Sequence, residues 1–413
     1  MDLLTRFELR KIIRRKSFLA GIVILMLASI LITFVSVASE SLSDETGKDL
    51  TGLSAISLRK QYDHKLAGAM STDKMVSVLE RYHDIRKDPQ NVNEKTKQIT
   101  DEAYHKYQAK DDMVLNLMRS AFSPLKEYNF YMIDSLSPED ASSFYTKRMN
   151  KVNEYLDMDY TYGNYSTEDK LYYQNLNERI PTPFILDYSK GWEILFWNSG
   201  GIMLAIVFVM CICISPLFAG EYQSGADSII LCSRYGRSKV IVAKFKASFL
   251  FATGLFLFGS LFYTLLTLGI YGFSGWDASL QTVHLTAPFP LTIFQTYLWI
   301  LLIGYLGCLM MMSVTLLLSA RMKSPFSVII WSTVLLFVPM FIPYSKSSRL
   351  FNHLIQISPN KMLNSFEALT HYELYHIFGQ LIPQHMVMTV LALFVTILLL
   401  PFVYRGFRNH QVS

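Results

Sequence analysis

The stretch FAGEYQSGADSIILCSRYGRSKVIVAK, residues 218–244, decides how the rest of the chain is interpreted. One apolar run ends at Phe218 and the next begins near Ala247, and the charged segment between them is interrupted by Gly225. Pro216, just upstream, is expected to kink the chain and redirect it along a membrane surface. The pattern predicts a short amphipathic helix between two membrane crossings.

This helix combines an apolar patch, residues 229–231, with the nearby basic residues Arg234, Arg237 and Lys239. That combination suits a groove on a partner protein. The alternative is an ordinary interfacial helix held at anionic lipid by its basic residues. The order of Glu221, the Ser224-Gly225 pair and the later basic residues between two apolar runs favours the partner-binding interpretation.

The composition is that of a membrane protein with several crossings. Hydrophobic residues make up 51% of the 413-residue chain and charged residues 17%, which is unusual for a soluble globular domain. Six apolar windows of about 20 residues, each free of Asp, Glu, Lys and Arg, are long enough to cross a bilayer. They are residues 18–37, 194–218, 247–271, 291–319, 326–343 and 386–404. We therefore predict an all-α membrane protein with six transmembrane helices.

Basic residues flank these windows unevenly. One side collects about 15 of them: Arg6, Arg10, Lys11, Arg14, Arg15, Lys16, Arg234, Arg237, Lys239, Lys244, Lys246, Arg321, Lys323, Arg405 and Arg408. The short loops of the other side carry only Lys346, Arg349 and Lys361. Because cytoplasmic loops are enriched in Lys and Arg, both termini are predicted to be cytoplasmic.

The first apolar window, within residues 17–38, has a basic flank and ends Ser36-Val37-Ala38-Ser39. A cleavable signal peptide is one interpretation. The apolar run of about 20 residues exceeds the usual 7 to 15 of a signal peptide, which favours an uncleaved anchor preceded by a cytoplasmic amphipathic segment, residues 1–16.

Residues 39–193 have the composition of a soluble domain, with about 20 basic and about 26 acidic residues. Ser137-Pro138-Glu139-Asp140 and Ser166-Thr167-Glu168-Asp169 are typical of helix starts. Residues 93–122 are predicted to form one long polar helix. We therefore expect an extracytoplasmic helical domain between transmembrane helices 1 and 2. Its many tyrosines form either an aromatic surface for an amphipathic ligand or, as we favour, packing within a thin helical domain.

The sequence lacks the usual motifs of ATP-binding and hydrolytic enzymes. There is no Gly-rich phosphate loop ending in Lys-Ser or Lys-Thr, and no Gly-x-Ser-x-Gly or His-Glu-x-x-His pattern. The pair Cys211 and Cys213 lies in an apolar window without a nearby His or acid, so packing is favoured over metal binding. His371 and His376 are favoured as solvated or interfacial residues. The absence of charge within the windows argues against an ion-coupled carrier.

The 218–244 stretch resembles the signature loop of the type-2 ATP-binding-cassette (ABC) permeases: a Glu closing the second transmembrane helix, a Ser-Gly pair, a Leu-bearing turn, then Arg-Ser and a Lys opening the third. The resemblance covers residues 1–38 and 190–413. It departs at Ala226, where the family usually has a hydroxyl residue, and at Tyr235-Gly236, which replaces a Pro-containing turn. The residues that match are Glu221, Ser224, Gly225, Leu231, Arg234, Arg237 and Lys244.

The resemblance implies that residues 221–240 form a coupling helix within the membrane region, residues 194–404, and that residues 405–413 are a cytoplasmic tail. It also implies paired helices over residues 358–382 that dip into the outer leaflet and border the exit. Their expected exit-rim residues are Phe366, Leu374, Phe378 and Leu381. The apolar spacing of Leu374, Ile377, Phe378 and Leu381 is itself typical of one helix face.

The function implied is that of a permease subunit of an ATP-driven exporter in the plasma membrane of a bacterial host. No cofactor and no nucleic-acid partner of its own are expected. Its expected partners are two cytoplasmic ABC ATPases that bind the ATP, a second permease, identical or related, and membrane lipid. An amphipathic cargo such as a peptide, antibiotic or lipid fits the aromatic-rich windows. The alternative is a non-transporting signalling or mechanotransmission subunit whose outer domain senses or acts on an envelope partner.

Overall fold

The computed structural model describes residues 2–410, and the chain is mostly helical. An amphipathic helix, α1 (Leu3–Ile13), is joined by a two-residue turn to the apolar helix α2 (Lys16–Ala38). Asp2 caps α1 by accepting a hydrogen bond from the Thr5 amide at 2.8 Å, as expected for an acidic N-cap. The predicted amphipathic segment, residues 1–16, is thus helical over most of its length.

Residues 39–193, which we call the 39–193 segment, contain six α-helices among short strands. The helices are α3 (Leu53–Lys65), α4 (Thr72–Lys87), α5 (Asp101–Ala103), α6 (Asp112–Phe122), α7 (Phe144–Asp157) and α8 (Thr167–Glu178). Antiparallel pairs form from β1 (Ser41–Ser43) with β2 (Asp49–Thr51), and from β3 (Gly68–Ala69) with β4 (Ile185–Leu186). Short 3₁₀ helices cover Pro89–Asn91, Phe130–Ser135 and Pro138–Ser143.

The two predicted helix starts are confirmed in their capping. The Ser137 amide donates to Asp140 at 2.7 Å and the Ser166 amide to Asp169 at 2.9 Å, as in a capping box. The predicted continuous helix over residues 93–122 is wrong. A π-helical turn, Tyr104–Gln108, and a break before α6 divide that stretch, and the buried residues of α6 pack in one cluster with those of α4 and α7.

The remaining chain carries the long apolar helices. They are α9 (Lys190–Ile214), continued by a 3₁₀ turn at Ser215–Leu217, α12 (Lys239–Tyr271), α13 (Ile293–Arg321), the shorter α14 (Pro325–Phe341) and α18 (Gln384–Arg408). Between α9 and α12 lie α10 (Ala219–Ser224) and α11 (Ala226–Cys232), and a 3₁₀ turn at Leu280–Thr282 precedes α13. Helices α9 and α13 are mostly buried, whereas α2 and α18 expose most of their apolar side chains.

Five helices in the described residues are long and apolar enough to cross a membrane: α2, α9 with its 3₁₀ extension, α12, α13 and α18. The sixth predicted crossing, residues 326–343, corresponds to α14, which has 17 residues. Its core contacts are few, because Val328, Ser332 and Leu336 alone along it are buried.

Between α14 and α18 the structure differs from the predicted paired helices over residues 358–382. The short helices α15 (Arg349–Gln356), α16 (Pro359–Leu363) and α17 (Phe366–Thr370) are followed by a β-hairpin, β5 (Leu374–Ile377) and β6 (Gln380–Pro383). The turn residues Phe378 and Gly379 both have positive φ, 49° and 76°, which matches a two-residue hairpin turn. The helical prediction for residues 374–382 is therefore wrong.

Candidate functional site

The coupling segment, residues 219–238, is two short helices and a turn rather than one helix over 221–240. Gly225 ends α10 in the left-handed region, with φ 68° and ψ 6°, a conformation that costs a residue with a Cβ about 1 to 2 kcal/mol. α11 therefore leaves at an angle to α10. The predicted bend at Gly225 is present, and the predicted single helix is corrected.

Beneath α10 lies a buried ion network that joins three parts of the chain. Lys244 of α12 is 0% exposed, and its ammonium donates to Glu221 Oε1 at 2.6 Å, to Glu8 Oε2 at 3.1 Å and to the Leu217 carbonyl at 2.9 Å. Lys11 of α1 donates to the same Glu221 oxygen at 2.6 Å. Two carboxylates and two ammonium groups thus meet where α1, α10 and α12 converge.

The network satisfies the donors of Lys244, because an ammonium group has three of them and Lys244 makes three hydrogen bonds. Removing such charges from water is costly, and the mutual attraction offsets this only when the geometry is good. Removing one charged partner should therefore destabilise the fold more than replacing all four charged residues by apolar ones. The network makes α1, α10 and α12 one mechanical unit at this point.

Helix α13 supplies a second attachment for the start of α10. The Ser319 hydroxyl accepts hydrogen bonds from the Phe218 and Ala219 amides, each at 3.1 Å, and donates to the Ser215 carbonyl at 2.7 Å. It thereby satisfies amide groups that have no partner at a helix start. The Tyr222 hydroxyl donates to the Ala320 carbonyl at 3.1 Å. Burial raises the pKa of Tyr222, so the phenol remains a neutral donor.

The end of α18 forms a third attachment. The Phe407 ring lies 4.8 Å from that of Phe218, and His410 is 3.4 Å from Asp227. Arg237 donates to the carbonyls of Leu231 and Arg408. The coupling segment is therefore packed against α1, α12, α13 and α18 on its inner side.

The outer side of the segment is exposed. Ile229 is 77% exposed, and Ser224, Arg234 and Arg237 are exposed around it. Arg234 and Lys239 lie over the Tyr235 ring at 5.3 Å and 4.3 Å, and such contacts orient a cation without neutralising it. The result is a surface with an apolar centre and a basic edge.

The seven predicted coupling residues thus fall into two groups. The structure brings Glu221, Leu231 and Lys244 into the interior, and it leaves Ser224, Gly225, Arg234 and Arg237 at the surface. Sequence reasoning assigned the Glu221 carboxylate to the ATPase contact or the membrane boundary, but it faces inward because Lys244 and Lys11 lie there. Glu8 and Lys11 were missed as site residues. The signal was that Glu8 is the one acid in α1, a helix with three basic residues.

The four predicted exit-rim residues do not form one surface. Phe366 is buried in α17, with its ring 5.2 Å from Phe196 and 5.3 Å from Trp197. Leu374 is buried and Leu381 partly buried in a cluster with tyrosines of the 39–193 segment. Phe378 is 101% exposed at the hairpin tip. The positions of Leu374, Phe378 and Leu381 follow from the two strands and the tight turn between them rather than from a helix face.

The tyrosine cluster joins the hairpin to the 39–193 segment. Tyr155 and Tyr173 lie 5.2 Å and 4.8 Å, centroid to centroid, from Tyr372, and the Tyr165 hydroxyl donates to the Tyr372 carbonyl at 2.7 Å. His376 of β5 is 2.9 Å from Asp169. The packing interpretation of these tyrosines therefore holds, and the surface against which they pack is the loop between α14 and α18.

The comparison with family models matches residues 3–407 to a family described as ABC-2 family transporter protein. The match covers nearly the whole chain, so the protein belongs to the ABC-2 transporter family. No curated protein and no solved structure matches the chain.

Family membership and the apolar helices together make this a multi-pass membrane protein and a permease-type transmembrane subunit of an ABC transporter. The subunit that hydrolyses ATP in such a system is a separate ABC ATPase, which is the partner that the family implies. The predicted family is confirmed.

Proposed function

We propose that this chain is the permease subunit of an ATP-driven exporter, with six crossings, both termini in the cytoplasm and the 39–193 segment outside. Helix α14, with 17 residues, is about 25 Å long, which is near the lower limit for crossing hydrocarbon. Its exposed side chains are apolar, including Phe326, Trp331 and Phe341. Counting α14 as a crossing gives an even number, in agreement with basic residues at both ends of the chain.

The observation that carries the proposal is the two-sided construction of the coupling segment. Its inner side is fixed to α1 and α12 by the Lys244 network, while its outer side presents Ile229 beside basic residues. A partner ATPase that moves this surface would displace α1, α12 and α18 together, because their contacts with the segment are buried. This is the mechanical requirement for coupling ATP hydrolysis to a change of access.

The assembly that we propose contains two ATPases and a second permease, identical or related. Exposed apolar side chains of α2 and α12, such as Leu19, Phe34, Phe258 and Leu265, provide the surface for the second permease or for lipid. The proposed cargo is amphipathic, a peptide, antibiotic or lipid, because the membrane helices present apolar and aromatic side chains.

One observation favours a second candidate, mechanotransmission. The 39–193 segment is bonded to the loop between α14 and α18, through Tyr165, Arg349 and the pair of Asp169 with His376. Motion of the membrane helices would therefore reach this segment directly. A transmitter of this kind would act on an envelope partner without moving cargo.

The decisive experiment uses the chain co-expressed with its partner ATPase and reconstituted in vesicles. Ile229→Asp places a charge at the centre of the exposed coupling surface, and we expect loss of ATPase co-purification with normal insertion. Leu171→Asp is the matched control, because Leu171 is 53% exposed on α8, far from the coupling segment in sequence.

Transport and transmission are separated by flux. An exporter moves labelled lipid or peptide in an ATP-dependent manner that Ile229→Asp abolishes, whereas a transmitter hydrolyses ATP without flux. If Ile229→Asp retains the ATPase as well as Leu171→Asp does, the coupling surface is assigned wrongly.

A further inference from the structure

A groove of about 650 Å³ lies between α1, α12 and α18, beside the coupling segment. One wall is a single face of α12, because its residues there are spaced i, i+3, i+4 and i+7: Lys239, Val242, Ala243 and Lys246. Leu3 and Leu4 of α1 and Tyr404 of α18 line the opposite side. The α12 wall therefore has an apolar middle and a lysine at each end.

The groove opens where the chain meets lipid. Helix α12 is long and apolar enough to cross a membrane, and its charge-free window begins at Ala247, directly after Lys246. On α1, Leu3 and Phe7 are 83% and 64% exposed on one face, and basic helices with such an apolar face lie in the membrane interface. Lys246 is thus at the level where lipid headgroups meet hydrocarbon.

The apolar wall continues from the groove into the crossing. Phe249 and Leu250 lie three and four residues beyond Lys246, on the same face of α12, and both are exposed. An occupant that fills the groove and extends along these side chains needs an apolar chain inside the bilayer. A soluble protein partner does not reach this depth, whereas an acyl chain does.

The two lysines of the wall are open to an occupant, because both side chains are exposed. The ammonium of Lys239 lies 4.3 Å from the centroid of the Tyr235 ring, which orients the cation without neutralising it. The ammonium of Lys246 is 3.5 Å from Asp2, and an exposed pair of this kind is weak. Both cations therefore remain available to a ligand.

The charge of the groove favours an anion. Within the described residues Asp2 is the one acid in the wall, against two lysines, and one of its carboxylate oxygens already caps α1. About 10 Å of helix rise separates Lys239 from Lys246. Because each ammonium is carried on a flexible four-carbon side chain, both can approach one phosphate between them.

We propose that this groove binds one anionic phospholipid of the bilayer, with its phosphate between Lys239 and Lys246 and an acyl chain along Val242 toward Phe249. The lipid contacts α1, α12 and α18, three of the helices to which the coupling segment is attached. The site requires α12 to cross the membrane, but it requires neither transport nor an ATPase. Its test can therefore fail while the proposed function stands.

Binding is measured on the full chain in detergent micelles by native mass spectrometry, as the concentration at which half of the chains carry a lipid. The probe is dioleoyl phosphatidylglycerol, and dioleoyl phosphatidylcholine has the same acyl chains with a zwitterionic headgroup. Each lysine near an anionic lipid contributes about a fivefold change in affinity, so phosphatidylglycerol should bind about tenfold more tightly. Glycerol 3-phosphate at the same concentration should not displace it, because it has no acyl chain.

The double variant Lys239→Gln with Lys246→Gln should remove this preference and weaken binding of phosphatidylglycerol about 20-fold. Lys16→Gln with Lys323→Gln is the matched control, because it removes the same charge from two exposed lysines beside α2 and α14, outside the groove wall. The control should keep the preference of the native chain.

Two further variants distinguish a shaped site from a basic surface. Val242→Trp fills the groove without a change of charge and should weaken binding severalfold; Val242 is 41% exposed, so the fold accommodates the larger ring. Asp2→Asn removes the acid of the wall but keeps a good helix cap, and it should strengthen binding severalfold.

Equal affinity for the two lipids, absence of saturable binding, or equal losses in the groove and control double variants would overturn the proposal. Displacement by glycerol 3-phosphate would also overturn it, because the site would then bind a free phosphate rather than a lipid. If Val242→Trp binds phosphatidylglycerol like the native chain, the lysines act as a diffuse basic surface and the groove is not a binding site.

Discussion

The ion network predicts a specific pattern of destabilisation. Glu221→Gln removes the negative charge but keeps an amide oxygen that can accept from Lys244, so Glu8 remains as the one carboxylate bonded to this buried ammonium, beside the Leu217 carbonyl. Breaking a buried pair by removing one partner costs about 3 to 5 kcal/mol, and the remaining contacts place this variant near the lower value. Lys244→Met removes the ammonium but leaves Glu221 bonded to Lys11, so its cost should be smaller.

The expected change in melting temperature follows from chain length. At about 2.1 cal/mol/K of unfolding entropy per residue, the 413 residues give a shift of about 1 °C per kcal/mol. Glu221→Gln should therefore lower the melting temperature by about 3 °C. The double variant, Glu221→Gln with Lys244→Met, should be destabilised by about 2 kcal/mol less than the sum of the two single variants. Each single variant already loses the interaction between Glu221 and Lys244, and the double variant loses it only once.

Thermal unfolding is measured with a dye that reacts with thiols as they become exposed. Cys211, Cys213 and Cys308 are buried and react only on unfolding, whereas Cys232 is exposed and gives a constant background. Lys246→Met is the matched control: Lys246 is two residues from Lys244 on α12, but its side chain is 59% exposed. If the two single variants melt like this control, or if their effects simply add, the network does not join the three helices.

Three further outcomes are expected. Burial raises the pKa of Asp63 to about 7, so its protonated form stabilises the fold at low pH, and that stability is lost as pH rises from about 4 through about 7. Asp63→Asn should therefore melt at a higher temperature than the native chain at pH 8, with a gain in unfolding free energy of at most roughly 4 kcal/mol, and should differ little from it at pH 4. Gly225→Val should weaken ATPase co-purification while Gly225→Asn largely keeps it, since Asn tolerates positive φ; equal loss in both would contradict the role of the bend. In a cysteine-free background, an impermeant thiol reagent should label a cysteine at Ser137 on whole cells but not one at Ser224, and the reverse pattern would invert the topology.

Much of the coupling region could be predicted from the sequence because its signals are local. The helices after Phe218 and Ser166 begin where capping and composition indicate, and Gly225 adopts the left-handed conformation that glycine accommodates best. The sequence could not predict whether a given side chain points into the protein or toward the surface. Glu221 and Arg237 look equivalent in sequence, yet one is buried against Lys244 and the other lies at the surface.

The hairpin shows the same limit more sharply. Leu374, Ile377, Phe378 and Leu381 have the spacing of a helix face, but the chain reverses at Phe378 and pairs Leu374 with Pro383. The preceding Tyr372 is fixed in the tyrosine cluster and His376 contacts Asp169, so contacts with distant residues stabilise the strands against a short helix that is marginal by itself.

The sequence alone determined the membrane class, the family resemblance and the position of the long apolar helices, because hydropathy and length act within one segment of chain. Only the tertiary structure decided that Glu8, Lys11, Glu221 and Lys244 form one network. This network brings together residues from separate elements, and the free energy of a buried charge depends on those neighbours rather than on its place in the sequence.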